Sequence, residues 1–288
     1  MLKIAQRMKQ LSTLVFCLLA MATLNAQNTK TKTAAPKKAP IDTARFVLVQ
    51  GGSFKMGTDQ PVERHEAPAH NVTVNSFYIG KTEVTFEEYD KYTTATKRDT
   101  ARSGAWGRGK QPVFMVSWRD AVAYCNWLSE TEKLSKCYQI NGNEVKYLDT
   151  AKGYRLPTEA EWEFAARGGN QSKGTPFAGG NVINEVGWYI DNANGQSHAV
   201  AQKKPNELGL FDMTGNVWEW VWDAYDGLYY GKSPALNPQG PETSAYRVMR
   251  GGAWYNYGNY AQVTTRQYHD PGFIQNSVGF RIARNYVP

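Results

Sequence analysis

The feature that most constrains this fold is the character of the chain after Gly169. Long stretches rich in Gly, Asn and Pro alternate there with aromatic clusters, and few segments show regular periodicity. An ordered irregular segment must satisfy its buried backbone groups with side chains, water or ions. We therefore expect Trp side chains, Asn side chains and bound metal to hold this half together. The chain is rich in aromatic residues, with 9 Trp, 17 Tyr and 11 Phe.

The first half carries clearer signals of regular structure. The segment RFVLVQGGSFKMG predicts two strands separated by a glycine turn. Three helix N-termini carry capping signals. They are Thr85 with acidic residues in the first turn, Ser117 with Asp120, and Thr158 with Glu161.

The net charge of +7 is concentrated at the N-terminus. Residues 1–40 hold seven of the 33 Lys and Arg residues and no Asp or Glu, so the remainder of the chain is formally neutral. A neutral body argues against a nucleic-acid partner, because nucleic-acid binding requires a basic surface.

The N-terminus has the pattern of a secretory signal peptide over residues 1–26. A positive segment precedes the apolar run from Leu11 to Leu24, and Ala26 offers a small residue for cleavage. The run is shorter than the ~20 residues that a membrane-spanning helix needs. We expect an exported protein of the periplasm or cell envelope, with no transmembrane anchor after cleavage.

A polar segment rich in Lys and Pro follows the leader. Residues 27–43 predict a flexible spacer, and one folded domain over 44–288 follows without a linker-like break. Cys125 and Cys137 are the only cysteines after the leader. They could pair in an oxidising compartment or stay buried as thiols, and the sequence leaves this open.

Five blocks of sequence resemble the formylglycine-generating enzyme, or sulfatase-modifying factor, superfamily. In the family's order they are FVLVQGGSFKMG; YIGKTEVTFEEY; PVFMVSWRDAVAYCNWLSE with GYRLPTEAEWEFAARGG; KPNELGLFDMTGNVWEWVWD; and RVMRGGAWYN with VGFRIAR. The resemblance covers residues 45–286. It implies the family's irregular α+β fold, which is related to C-type lectin-like folds, with few helices, short strands and long ordered loops.

The resemblance also indicates what this chain lacks. The namesake enzymes oxidise a sulfatase cysteine with copper and oxygen, using two cysteines that follow an RGG sequence. Those two positions fall here at Asn256 and Ala261, and a serine and a histidine of the enzymes' site become Ala253 and Tyr257. Soft thiolates are the ligands that Cu(I) prefers. We therefore expect no copper, no catalytic residue at these positions and no formylglycine generation by that mechanism.

Calcium is the cofactor that the resemblance does support, as one or two structural ions. The first site is expected at the side chains of Asp212 and Glu219 and the carbonyls of Gly215 and Val217, since calcium accepts mixed oxygen ligands. The second is expected at Asn184, Asn192 and Asn194. The alternative is that these Asn and Gly residues only form turns.

A binding groove is the remaining expectation from the resemblance. The segment that lines the enzymes' substrate groove corresponds to residues after Gly252, and exposed aromatic and Arg side chains are typical of recognition surfaces. The candidate residues are Tyr255, Tyr257, Tyr260, Arg266, Tyr268 and His269.

Three functions remain open from the sequence. The favoured one is a non-catalytic binding or scaffold module, similar to gliding- or secretion-associated envelope proteins, with an envelope protein or a glycan as partner. The second is an oxidoreductase that uses another site, as in a related pyoverdine-maturation enzyme. It would need a redox metal or cofactor held by residues such as Tyr257, Tyr268 or His269. The third is an unorthodox formylglycine-generating oxidase.

Overall fold

The computed structural model describes residues 41–287. The predicted signal peptide 1–26 and most of the predicted spacer 27–43 lie outside the described residues. Within residues 41–287, no helix has the length and apolar character needed to cross a membrane.

Residues 41–287 form four α-helices and twelve short strands. The helices are α1 (Phe86–Thr96), α2 (Trp118–Thr131), α3 (Glu159–Ala166) and α4 (Ile183–Val186). The strands are β1 (Phe46–Val49), β2 (Gly52–Met56), β3 (His70–Val74), β4 (Phe77–Gly80), β5 (Tyr138–Asn141), β6 (Glu144–Tyr147), β7 (Tyr154–Arg155), β8 (Trp218–Ala224), β9 (Arg247–Arg250), β10 (Arg266–His269), β11 (Val278–Phe280) and β12 (Ala283–Asn285). This confirms the expected α+β class with few helices and short strands.

The strands assemble into two four-stranded sheets and two ribbons. One sheet has the order β1-β4-β12-β7 and is antiparallel, and the other has the order β10-β9-β8-β11, with β11 parallel to β8. The ribbons are β2-β3 and β5-β6. The predicted strands on either side of the glycine turn at residues 51–52 are present. They do not pair with each other, because β1 pairs with β4 and β2 with β3.

Capping side chains set the start of the three longer helices. Thr85, Ser117 and Thr158 each accept a hydrogen bond from the backbone N–H three residues later, and the acidic residue at that position reaches back to the cap. These reciprocal bonds confirm the three predicted N-termini.

Buried Trp and Asn side chains order the irregular second half, as expected. The Trp118 indole donates to the carbonyl of Val221, and the Trp220 indole donates to the carbonyl of Val116. Asn206 donates to the carbonyls of Ala165 and Ala166 at the end of α3, while its oxygen accepts from two loop amides. Loop backbone groups are thereby satisfied without a helix or a sheet.

Cys125 and Cys137 are both buried and free in the structure. Burial raises the pKa of each thiol, so both are held as neutral, weakly reactive groups.

Candidate functional site

The turn after β9 contains Asn256 and Ala261, the two positions that the sequence resemblance aligns with the family's cysteines. The Asn256 side-chain oxygen accepts the N–H of Ala253 at 2.9 Å, and its carbonyl accepts the N–H of Ile190 at 3.0 Å. Ala261 is fully buried. A Cβ placed on Gly252 would lie 2.9 Å from the Ala261 Cα, so the two segments are in tight contact. Both positions therefore serve packing, and neither carries a sulfur that could bind copper.

Beside this turn lies a surface of exposed aromatic side chains. Tyr255 and Tyr257 are 37% and 65% exposed. The ring of Trp254 lies 5.4 Å from that of Tyr255 and 5.2 Å from that of Trp106, between ring centroids. We refer to Trp106, Trp254, Tyr255 and Tyr257 as the aromatic surface.

An open cavity of about 310 Å³ adjoins the aromatic surface and shares Trp106 with it. Phe114 and Met115 supply further apolar lining, and Met115 has a left-handed backbone with φ of 59°. The Trp254 indole donates to the carbonyl of Asn276, which also lines the cavity. The sequence did not single out Trp106 because it lies far from Trp254 along the chain.

Arg266 does not belong to an exposed groove, which differs from the expectation. Its side chain is 1% exposed and donates to both carboxylate oxygens of Glu159, at 2.6 and 2.8 Å. A third donation goes to the carbonyl of His65 at 2.7 Å. Burial alone would lower the pKa of Arg266, but Glu159 outweighs burial and raises it. Arg266 is therefore a buried cation whose charge Glu159 balances.

The other candidate groove residues separate into different neighbourhoods. Tyr268 stacks on Tyr225 with ring centroids 3.7 Å apart, whereas the adjacent His269 stacks on Phe273 at 3.5 Å. Successive side chains of a strand point to opposite faces, which explains the separation. The Tyr260 hydroxyl contacts Glu63 at 3.5 Å. Among residues 41–287, no recorded contact brings Tyr257, Tyr268 and His269 together as ligands of one metal.

Glu219, the expected calcium ligand, lies in a buried ion pair. Arg281 donates to both of its oxygens at 2.6 Å, and the Trp162 indole donates to one of them at 2.8 Å. Both Glu219 and Arg281 are fully buried. Arg281 also donates to the carbonyls of Gly80 and Phe211, so it links β4 to the loop before β8.

Asp212 and Glu83 are two further buried carboxyl groups near this ion pair. One Asp212 oxygen accepts the N–H of Ala201 at 2.7 Å, while the other is buried without a hydrogen-bond partner. Both side-chain oxygens of Glu83 are buried, and its side chain lies beside Asp212, which a hydrogen bond from Glu83 stabilises in the charged form. Burial raises the pKa of Glu83 well above its ordinary value, and Asp212 adds to the rise. Burial and Glu219 likewise raise the pKa of Asp212 to about 6.

These three carboxyl groups share a single guanidinium, and the raised pKa values of Glu83 and Asp212 reflect that imbalance of charge. Unpartnered buried carboxylate oxygens are strongly unfavourable unless a proton or a cation neutralises them. The donor set therefore fits a hard cation with Asp212 and Glu83 as acidic ligands. No group of three or more His, Cys, Asp or Glu among residues 41–287 is arranged to hold a metal ion. A cation here would thus need carbonyl oxygens as well.

The turn that carries the expected carbonyl ligands is tightly packed. Gly215 has a φ of 78°, and a Cβ there would collide with the carbonyl of Trp188. That carbonyl accepts the N–H of Asn216, whose side chain bonds both backbone groups of His198. The backbone through Val217 is consequently fixed in place.

The residues expected to form a second calcium site are engaged with one another and with the protein. The Asn192 oxygen accepts the N–H of Tyr189, and its amide donates to Asn184 at 3.3 Å. The Lys203 ammonium donates to the carbonyl of Asn184 at 2.7 Å. Asn194 is a left-handed turn residue with φ of 53°. A cation beside Lys203 would be repelled, so this geometry favours the turn role.

Comparison with known proteins agrees with this architecture. Residues 31–286 match the family described as "Sulfatase-modifying factor enzyme 1-like domain". The chain is 34% identical to the chaperone protein LppX of Paenibacillus barcinonensis, covering 83% of this chain and 89% of that protein. It is 29% identical to the formylglycine-generating enzyme of Streptomyces coelicolor, covering 87% and 92%.

A solved structure shows the same fold. Treponema denticola variable protein 1 superimposes with a TM-score of 0.72 at 31% identity, covering 83% of this chain and 94% of that one. The family match spans most of the chain, and the sheets and turns described above follow its fold. The chain therefore belongs to the sulfatase-modifying factor family.

Proposed function

We propose that this protein is a non-catalytic binding module that holds a polypeptide partner on the aromatic surface. The main support is that Asn256 and Ala261 have structural roles in the turn after β9. Asn256 closes the turn to Ala253, and Ala261 fills a buried contact with Gly252. With neither thiolate present, the family's copper chemistry has no ligands at these positions.

The chemistry of the aromatic surface supports a protein as partner. Tyr and Trp are enriched in the energetically important parts of protein interfaces because they bury large areas at little entropic cost. Tyr257 is 65% exposed, and Trp106 of the same surface lines a cavity of about 310 Å³ with Phe114 and Met115. The cavity is of a size to take an apolar side chain of a partner. The relative from Paenibacillus barcinonensis is named a chaperone protein, which agrees with polypeptide binding.

We also propose that this module works outside the cytoplasm. The support is the leader pattern of residues 1–26, with its positive segment and short apolar run. The partner would then be another protein of the periplasm or cell envelope.

Structural calcium forms part of the proposal. Asp212 and Glu83 would supply acidic oxygens, with carbonyls of the 212–217 turn completing the site, while Glu219 stays with Arg281. The bound ion would neutralise the excess charge and fix this turn against Trp188. It would take no part in a reaction.

The experiment is a binding measurement with an unfolded polypeptide as the probe. Reduced, carboxymethylated α-lactalbumin is titrated into the purified protein, and its affinity is compared across variants. Tyr257→Ser should weaken binding about tenfold, as expected for an exposed aromatic contact. Leu228→Ser removes an apolar side chain that is 80% exposed elsewhere and should leave the affinity unchanged.

Two results would count against the proposal. One is equal loss of binding in both variants, which would show that the contact is not specific to the aromatic surface. The other is aldehyde formation in a cysteine-containing sulfatase peptide when the protein is supplied with copper and oxygen.

A further inference from the structure

A second cavity, distinct from the aromatic surface, lies beside the edge strand β7. Its volume is about 380 Å³, within the ~300–1,000 Å³ range of small-molecule sites. Residues from four separated parts of the chain line it, around Asn75, Asp149, Asn237 and Asn285. Neither the calcium ligands nor the candidate groove residues contribute to it.

The floor of this cavity is rigidly built. Arg155, only 4% exposed, donates to both oxygens of Glu161 at 2.6 and 2.7 Å. Its Nε donates to the Asn285 oxygen at 2.7 Å. The Asn285 amide in turn donates to the carbonyls of Asp149 and Ala151, both at 3.1 Å. This network fixes the segment that carries Asp149 before any ligand arrives, which lowers the entropic cost of binding.

The cavity walls carry polar side chains that make no hydrogen bond within the described part of the chain. The side chains of Asn75, Asp149 and Gln239 line the cavity, and no hydrogen bond is recorded for them within residues 41–287. Asn237 accepts the N–H of Asn75 through its side-chain oxygen at 2.8 Å, and its amide group adds a donor to the cavity wall. Thr150 adds a hydroxyl. Donors and acceptors are thus both available around the cavity.

The charge balance decides which polar ligands are suitable. Among the described residues that line the cavity, Arg155 is the one cation, and Glu161 balances its charge. Asp149 makes no recorded ion pair in the described part of the chain, so the lining carries a net negative charge. Phosphate, sulfate and carboxylate ligands would meet repulsion and no free cation. A neutral ligand with many hydroxyl groups meets matching amide, hydroxyl and carboxylate partners.

We infer that this cavity binds a small neutral saccharide. Its hydroxyls would bond to Asp149, Asn75 and Gln239, and the half-buried ring of Tyr147 supplies apolar surface at the wall. The site is independent of the polypeptide partner proposed above.

The test is saturation-transfer NMR on the purified protein, with maltose and N,N′-diacetylchitobiose as probes. At least one of them should give a signal, and glucose 6-phosphate should give none because the described lining residues offer no unpaired cation. Gln239→Ala and Asp149→Ala should each weaken the positive interaction about fivefold or more, since each removes a hydrogen-bonding partner. Both positions are solvent-exposed, so the fold should tolerate them.

Matched variants separate this site from the rest of the molecule. Gln139→Ala, at an exposed position of β5 outside the cavity, should leave the signal unchanged. Tyr257→Ser should also leave it unchanged, so failure of the polypeptide proposal would not affect this result. Absence of signal from both disaccharides would overturn the inference. So would a signal that survives both cavity variants, or preferential binding of glucose 6-phosphate.

Discussion

At the scale of single residues, buried arginines determine the geometry around the site. Arg281 holds Glu219 and Arg266 holds Glu159, each through two hydrogen bonds, and all four side chains are almost fully buried. A buried ion pair contributes little over an apolar pair of equal volume, but removal of one partner is costly.

Replacement of Arg281 should therefore be strongly destabilising. Arg281→Met leaves Glu219 buried without its ion-pair partner, and we expect a loss of about 3–5 kcal/mol in the free energy of unfolding. Urea denaturation measures it. Arg64→Met, at an exposed position, should change the value by no more than about 0.5 kcal/mol. Similar stabilities for the two variants would contradict the charge argument.

Glu163 should make stability depend on acid pH. Burial would raise its pKa, but Arg167 and Arg250 outweigh burial and hold the pKa below the ordinary 4.5. The folded state thus binds the proton less tightly than the unfolded state does. The contribution of Glu163 is complete above pH 4.5 and is lost as the pH falls through the lower, folded-state pKa.

The measurement is denaturation of the wild type and Glu163→Gln from neutral to acid pH. The stability gap between them should be large at neutral pH and should close at low pH. Glu144→Gln, at an exposed position of β6, should show no such closing gap. A gap for Glu163→Gln that stays constant with pH would contradict the assignment.

The sequence predicted only part of the proposed calcium site and of the candidate groove. Asp212, Gly215 and Glu219 lie in one block, so their neighbourhood could be anticipated. Glu83 was missed because it lies far from that block in the chain and joins it only through the fold. Arg266 was expected at the surface, since sequence does not reveal that Glu159 is its partner.

At the scale of elements, local signals predicted helix starts well and strand partners poorly. A capping pair acts within a single turn, so Ser117 and Asp120 carry the full information for their helix start. Strand pairing depends on distant segments. The strands β1 and β2, close in sequence, therefore belong to different sheets.

The cap of α2 provides an element-scale test. Ser117→Ala removes the acceptor for the N–H of Asp120, and we expect a loss of about 1 kcal/mol in the free energy of unfolding. Thr94→Ala, at an exposed position within α1, serves as the control and should not destabilise. Equal stability of Ser117→Ala and the wild type would show that the cap contributes nothing.

At the scale of the whole molecule, the irregular half depends on ordered side chains and, as we propose, on calcium. Removal of calcium with EGTA should lower the melting temperature, because an ion that binds only the folded state stabilises it by about 2.7 kcal/mol at a hundredfold excess over its Kd. Glu83→Gln should reduce this shift, since it removes one acidic ligand. A melting temperature insensitive to EGTA and to added calcium would contradict the calcium proposal.

We propose that this family member lacks the copper chemistry of its enzymatic relatives. The most direct test is Cu(I) titration of the wild type beside the double variant Asn256→Cys, Ala261→Cys. The wild type should retain no stoichiometric copper after dialysis, whereas the double variant should gain tight binding through its two thiolates. Stoichiometric copper retained by the wild type, with oxygen-dependent aldehyde formation in a cysteine peptide, would contradict the account.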